Sequence, residues 1–324
     1  MTDTMDGPDR PRAGGPDHMV IGIDLGGTKC HAALASGADS ILVETHELVA
    51  RYPDAVTALE AVIGELQDAA RRLGGTVGGV AVGVPANVDP ATGLIVNGLN
   101  LGWDRIDLRA RLDRVVDAPY TIENDVNLAA IGEASRGAGR DATSFVVLAL
   151  GTGLGGAAVV NGSLIRGRHN AAGEVGYLVA DRHQLRKPGL LGMESIVGGL
   201  GIAARARELA TLHPESCLHG VADLDAATVL AAAVDRDVVA EQILDEVIDH
   251  LAMTVIDVTA VLDAELVIVT GGVGHALAAH LPRVRDIVRQ TFGHAPELVV
   301  SQLRPSAALA GALTRARRIA THGD

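Results

Sequence analysis

The sequence predicts an α/β protein with a duplicated core, and three observations carry that expectation. Short buried-strand runs alternate with helical stretches along the chain. A strand, a glycine-rich turn and a second strand occur at 20–35 and recur at 145–160, each turn joining its two strands directly. A length of 324 residues and a hydrophobic share of 48% leave room for two domains with cores of their own. Two such hairpins imply two similar lobes facing one another across a cleft.

Each element has a local reason. Residues 1 to about 18, MTDTMDGPDRPRAGGPDH, are polar and without a period, so they read as a disordered tail, with Met19 a candidate start. Val20-Ile21-Gly22-Ile23-Asp24-Leu25 is a buried-strand run that stops at Gly26-Gly27, and 30–35 follows as the second strand of a hairpin. A helix is expected over roughly 53–73, a strand at 79–84, another at 119–123 and a helix over 124–134. The strand 145–150 breaks at Gly151-Thr152-Gly153 and resumes through 157–160. Residues 226–262 read as one nearly gapless helix, followed by a strand at 266–269, the pair Gly271-Gly272 and a last helix over 306–318.

Charge and cysteine content narrow the function. Formal net charge is −13, from 27 basic and 40 acidic residues, which argues against nucleic acid as a partner. No apolar run reaches the roughly 18 residues that a membrane span needs, so no membrane association is expected. The N-terminus has no apolar signal core, and two cysteines, Cys30 and Cys217, make no disulfide framework; both fit a cytoplasmic protein.

The glycine turns carry the chemistry. Gly151-Thr152-Gly153-Leu154-Gly155-Gly156 matches G-x-G-x-x-G, and Glu174 follows about twenty residues on. The dinucleotide reading fails, because it needs a helix after the glycines. Ala-Ala-Val-Val and the turn Asn161-Gly162 follow instead. Asp24-Leu25-Gly26-Gly27-Thr28-Lys29 can be a plain hairpin or an anion cradle. In the second reading the glycines admit backbone N–H groups, Thr28 and Lys29 add donors, and Asp24 holds a hydrated Mg²⁺. Lys29 is one of two lysines in an Arg-rich chain, and Thr152 holds the matching place in the second hairpin; both favour the cradle. Asn124-Asp125 suits either a helix N-cap or a site acid.

Six segments taken together go further. They are Asp24 to Lys29, Asn100-Leu101-Gly102-Trp103, Glu123-Asn124-Asp125-Val126-Asn127-Leu128-Ala129, Leu150 to Gly156, Ala172-Gly173-Glu174-Val175-Gly176 and Ile268-Val269-Thr270-Gly271-Gly272-Val273. In this order, over about 19–318, the chain resembles sugar kinases of the ROK family, within the actin-like ATPase superfamily. The resemblance implies two actin-like, ribonuclease H-like lobes with a nucleotide and sugar cleft between them. The expected division is a tail at 1–18, an N-terminal lobe at 19–132 completed by a helix at about 305–324, and a C-terminal lobe at 133–304. It also implies ATP-dependent phosphorylation of a hexose or aminohexose, at the 6-hydroxyl, with Mg²⁺ and in a homodimer.

Residue by residue, the resemblance makes Asp125 the general base. It assigns the sugar to Asn100, Asn124, Asp125, Glu174, Tyr177 and Glu194. It assigns the nucleotide to Asp24, Gly26, Gly27, Thr28, Lys29, Gly151, Thr152, Gly153, Gly271 and Gly272. The chemistry agrees: phosphoryl transfer needs a base beside the hydroxyl, and each carboxylate can accept from two vicinal hydroxyls.

The chain departs from the family at its structural zinc. Tyr177 stands where the resemblance expects a ligand histidine, and Gly189-Leu190-Leu191-Gly192-Met193-Glu194 replaces the cysteine run. No structural zinc is therefore expected, with Leu190, Leu191 and Met193 bracing the loop by apolar packing. The rival reading is a sugar-sensing, repressor-like protein without kinase activity. The short acidic N-terminus speaks against its DNA-binding part, and Asp125 with both hairpins speaks for catalysis. Kanosamine and N-acetylmannosamine stay open as specialised substrates.

Overall fold

The computed structural model describes residues 18–37, 40–89, 92–96, 103, 106–185, 192–303 and 306–322. The chain divides into two compact units, one of Met1–Asp141, Gly162–Ala172 and Gln302–Asp324, the other of Ala142–Asn161 and Gly173–Ser301. The boundary expected at 132 falls inside a helix that runs to Arg136, and residues 162–172 belong to the first unit. Among the described residues no helix is long and apolar enough to cross a membrane.

The first unit is built on the strands β1 (His18–Leu25), β2 (Lys29–Ser36), β3 (Ile41–Leu48), β4 (Thr76–Val84) and, after the short pair β5 (Asn87–Val88) and β6 (Ile95–Val96), β7 (Tyr120–Asn124). Their order in the sheet is β3-β2-β1-β4-β7. β1, β2 and β3 are antiparallel neighbours, while β4 and β7 join β1 in parallel. The helix α1 (Ala55–Arg72) starts where the Asp54 carboxylate accepts from the Thr57 N–H at 2.7 Å. Its buried stripe of Val56, Leu59, Val62, Ile63 and Leu66 packs with Ile21, Ile23, Leu25, Cys30 and Leu34 of the sheet. Trp103 belongs to this core. A short helix α2 (Leu108–Leu112) precedes β7, and α3 (Asp125–Arg136) follows it without a linker.

The register aligns functional positions. His46 of β3 faces His31 of β2, which faces Asp24 of β1; Asp24 faces Gly83 of β4, and Gly83 faces Glu123 of β7. One line across the sheet therefore ends at the carboxyl ends of its parallel strands.

The second unit repeats the plan. β8 (Phe145–Leu150) and β9 (Leu154–Val160) form its hairpin, and the strand β10 (Ser163–Ile165) opens the segment that belongs to the first unit. After α4 (Glu194–Val197), α5 (Gly199–Ala210), α6 (Ala226–Val234) and α7 (Val238–Leu262) come β11 (Leu266–Thr270), α8 (Gly271–Ala276), α9 (Leu281–Phe292) and β12 (Glu297–Val300). The strand order β9-β8-β11-β12 matches β2-β1-β4-β7: an antiparallel hairpin followed by two parallel strands. The duplicated α/β core is thus realised as two mixed sheets.

One expectation is corrected. The stretch 226–262 is two helices, because Arg236 adopts a left-handed φ of 61° and Asp237 then caps α7, accepting from the Val239 and Ala240 N–H groups. The glycine pair 271–272, expected after the strand, opens α8.

The C-terminal helix (Ala307–His322) crosses α3 at glycines on both sides. A Cβ at Gly311 would overlap the Leu128 carbonyl, and one at Gly132 would overlap that of Ala307. Helix propensity alone favours Gly311→Ala by about 1 kcal/mol, whereas the overlap costs about 3 kcal/mol. Urea unfolding should therefore show Gly311→Ala less stable by about 2 kcal/mol; a variant as stable as the parent would mean that the crossing is not tight.

Candidate active site

In the first unit, strand ends place the acids. Asp24 closes β1 and Asn124 closes β7, with Asp125 opening α3. β1 and β7 are two strands apart, roughly 10 Å, at the carboxyl edge where parallel sheets bind ligands. Asp24 is half-buried and accepts from Ser306 Oγ at 3.3 Å. Burial pushes its carboxyl above the usual range, against the opposing pull of His31 and the Ser306 hydrogen bond.

The N-cap question is settled by geometry. Asn124 Oδ1 accepts from the N–H groups of Val126 and Asn127 at 2.9 and 3.1 Å, and its Nδ2 donates to the Ala86 carbonyl at 3.4 Å. Asn124 therefore caps α3. Asp125 takes a 2.9 Å bond from Val126 N–H but is not the cap, so capping does not explain it.

A pair that sequence reasoning missed fixes this corner. Glu123 is buried; its Oε1 accepts from Asn124 N–H at 3.1 Å and from Asn127 Nδ2 at 2.9 Å. Arg166 Nε donates to its Oε2 at 2.8 Å. A buried carboxylate needs such partners, and here they hold the backbone that carries Asn124 and Asp125.

Both glycine hairpins close in the same manner. Gly26 N–H donates to the Lys29 carbonyl at 2.8 Å and Gly151 N–H to the Gly153 carbonyl at 3.1 Å. Among the described residues, the next two N–H groups have no partner in either turn: those of Gly27 and Thr28, and those of Thr152 and Gly153. Adjacent unpaired N–H groups on a tight turn form an anion nest. Gly27, Thr28 and Lys29 are exposed, as such a nest requires.

In the second unit the sugar acids surround the hairpin. Leu154 N–H donates to Glu194 Oε2 at 2.8 Å, and a Cβ on Gly153 would overlap that carboxylate. The loop 173–178 packs beside them: a Cβ on Gly176 would lie 2.6 Å from the Leu154 carbonyl and 3.3 Å from Glu194 Cβ. Glu174 is half-buried, and Tyr177 is 52% exposed, outside the core. Burial first, then Glu174 and Glu194, push the Tyr177 phenol up, so it stays a neutral hydroxyl at physiological pH. Gly271, at φ 86°, abuts the Leu150 carbonyl, whereas Gly272 borders open space.

The structure thus groups Asp24, Asn124 and Asp125 at one sheet end, and Gly151, Thr152, Gly153, Glu174, Tyr177, Glu194 and Gly271 about one hairpin. Asn100, Leu190 and Leu191 lie outside the described residues. Met193 is fully buried, and its N–H donates to the Leu178 carbonyl at 2.9 Å.

The chain is similar to known proteins over most of its length. The model of the ROK family matches residues 20–319. The glucokinase of Halalkalibacterium halodurans is 31% identical over 299 residues, 83% of this chain and 88% of its own. The N-acetylmannosamine kinase of Escherichia coli is 31% identical over 301 residues, 90% of this chain and 96% of its own. A ROK family glucokinase from Streptomyces griseus, solved in complex with glucose and AMPPNP, aligns with a TM-score of 0.76 at 26% identity, over 93% of this chain and 99% of that one.

Asp24 provides a test by pH. Because its folded-state pKa is raised, the stability it contributes is full below the ordinary value of 3.8 and is lost as pH rises through the elevated one. Asp24→Asn removes the buried charge and keeps an acceptor for Ser306. Its thermal midpoint should exceed the parent's at neutral pH, and the gap should close on acidification. A variant melting at or below the parent at neutral pH would show that Asp24 is not held at a cost to stability.

Proposed function

This chain belongs to the ROK family, and on that premise we propose that it is an ATP-dependent sugar kinase whose acceptor is the 6-hydroxyl of a hexose or aminohexose. The observation that carries the reading is the division of labour at the start of α3: Asn124 takes the capping load and Asp125, held beside it by the Glu123–Arg166 pair, does not. Asp125 is the base. The sugar oxygen forms a bond to the γ-phosphorus as the bond to the ADP oxygen breaks, and the hydroxyl proton passes to the Asp125 carboxylate. A carboxylate can take that proton late, as phosphoryl transfer lowers the hydroxyl's affinity for it.

The remaining residues bind and orient. The open N–H groups at Gly27 and Thr28 and at Thr152 and Gly153 suit phosphate oxygens, with Lys29 adding a cation and Gly271 and Gly272 completing the nucleotide contacts. Asp24, a half-buried carboxylate at a strand end, suits Mg²⁺, which when bound neutralises phosphate charge. Asn100, Asn124, Glu174 and Glu194 are assigned the sugar hydroxyls, with Tyr177 offering a neutral hydroxyl between two acids. The loop carries no cysteine and has Tyr177 where a ligand histidine is expected, so the residues present do not fit a structural zinc. Relatives named for glucose and for N-acetylmannosamine support the hexose and aminohexose range. An ADP-release assay over a panel of both classes tests it, and no turnover with any member would reject it.

Two substitutions probe the mechanism. Asp125→Asn should lower kcat roughly a thousandfold while sugar affinity stays within about tenfold, since the amide still hydrogen-bonds. Retention of more than about a tenth of turnover would remove Asp125 from the role. Gly153→Val should raise the KM for ATP by blocking the nest. Because its side chain also displaces Glu194 from Leu154 N–H, the KM for sugar should rise as well. Steady-state kinetics with each substrate varied will show whether both change; an unchanged ATP constant in a folded variant rules out the second nest.

A further inference from the structure

The outer edge of the first sheet carries a cluster that phosphoryl transfer does not use. Glu44 and His46 are two residues apart on β3 and so project from one face. His31 of β2 lies directly opposite His46 in the register. His31 Nε2 is 2.8 Å from Glu44 Oε1, and His46 Nε2 is 3.3 Å from the same oxygen. The two imidazoles stack with centroids 3.8 Å apart and planes 21° from parallel. Among the described residues, this is a place where three potential ligand atoms lie within 4.8 Å of one another.

We propose that His31, Glu44 and His46 form a binding site for one divalent transition-metal ion of the Zn²⁺ class. Two residues at i and i+2 and one across the strand pair make a triangle on a hydrogen-bonded ladder, so the backbone sets the spacing before any metal arrives. Ligand bonds of about 2.1 Å in tetrahedral geometry require donor atoms roughly 3.4 Å apart. The two Glu44 contacts, at 2.8 and 3.3 Å, fall just short of that separation, so small side-chain rotations suffice to open it. Two imidazole nitrogens and one carboxylate oxygen favour Zn²⁺, Cu²⁺ or Ni²⁺ over Mg²⁺ and Ca²⁺, which prefer all-oxygen shells.

Burial is graded across the three ligands. The His31 side chain is 13% exposed, Glu44 35% and His46 61%, so one ligand is anchored in the sheet and the fourth position opens to water. This site uses none of the residues of the loop at 174–194, which holds no cysteine and has Tyr177 at the position where a ligand histidine is expected. It lies one strand from Asp24, which faces His31 in the β1–β2 register. A bound cation there would add positive charge on the side of the acid assigned to Mg²⁺.

The test uses the full chain, stripped with a chelator and then titrated with Zn²⁺ alone against a chromophoric competitor. One equivalent should bind with a Kd of about 1 µM or tighter, and millimolar Mg²⁺ should not displace it. His46→Asn, at an exposed edge position where folding is not at stake, should weaken binding at least about tenfold, and Glu44→Gln should do the same. The variant with both His213→Asn and Cys217→Ser should bind as the parent does. Co²⁺ in place of Zn²⁺ should give the visible absorption of a four-coordinate site in the parent and lose it in His46→Asn. Binding weaker than about 100 µM, or an affinity that neither His46→Asn nor Glu44→Gln changes, would overturn the proposal.

Discussion

The buried carboxylate of Glu123 is the constraint on which the corner that carries Asp125 depends. Strand β7 must end and helix α3 must begin with no residue between them, so the chain turns within Asn124. Such a turn leaves orphan N–H groups at the helix start. Asn124 satisfies two of them, and Glu123 takes its neighbour's N–H together with the Asn127 amide. The charge that results inside the fold is matched by Arg166, 43 residues along. Losing Arg166 would leave the buried Glu123 carboxylate without this counter-charge, a cost of about 3–5 kcal/mol. Asp125 owes its fixed place in part to Glu123, Asn127 and Arg166, to which no substrate contact is assigned.

A second carboxylate works similarly in the other unit. Glu194 begins α4, and its bond to Leu154 N–H fastens that helix to the first residue of β9. The glycine before that residue has no side chain, and the acid fills the space. A group assigned to the sugar is therefore also part of the wall of a phosphate nest. On the proposed assignment, the contacts of the two substrates are therefore mechanically joined.

Much of this was legible in the sequence, for physical reasons. Buried parallel strands are continuous apolar runs, so β1, β4, β8 and β11 announce themselves, and the glycines that end the hairpins mark where side chains would obstruct. Asp24 and Asn124 stood out because they are polar residues at the ends of such runs. β3 did not: it is an edge strand of partly and fully exposed residues, and its alternation is masked by Glu44, Thr45, His46 and Glu47. The break between α6 and α7 rests on a left-handed Arg236, a residue type with no preference for that conformation. The partnerships of Glu123 with Arg166 and of Glu194 with Leu154 join residues 43 and 40 positions apart, and local pattern encodes element type, not pairing across the fold. The His31–Glu44–His46 triangle was hidden for the same reason, since it exists only once β2 and β3 are in register.

The glycine crossing of α3 with helix 307–322 also bears on how the chain comes to be folded. That helix seals a face of the first unit, yet it is translated long after the strands and α3 that it covers. Most of the intervening residues form the other unit, whose own chain is complete by Ser301. During synthesis the second unit can therefore close upon itself first. The earlier-made sheet waits with apolar surface uncovered, a window in which it depends on chaperones or on speed. A chain cut before residue 307 would keep the whole of its later unit and lack the helix that covers its earlier one.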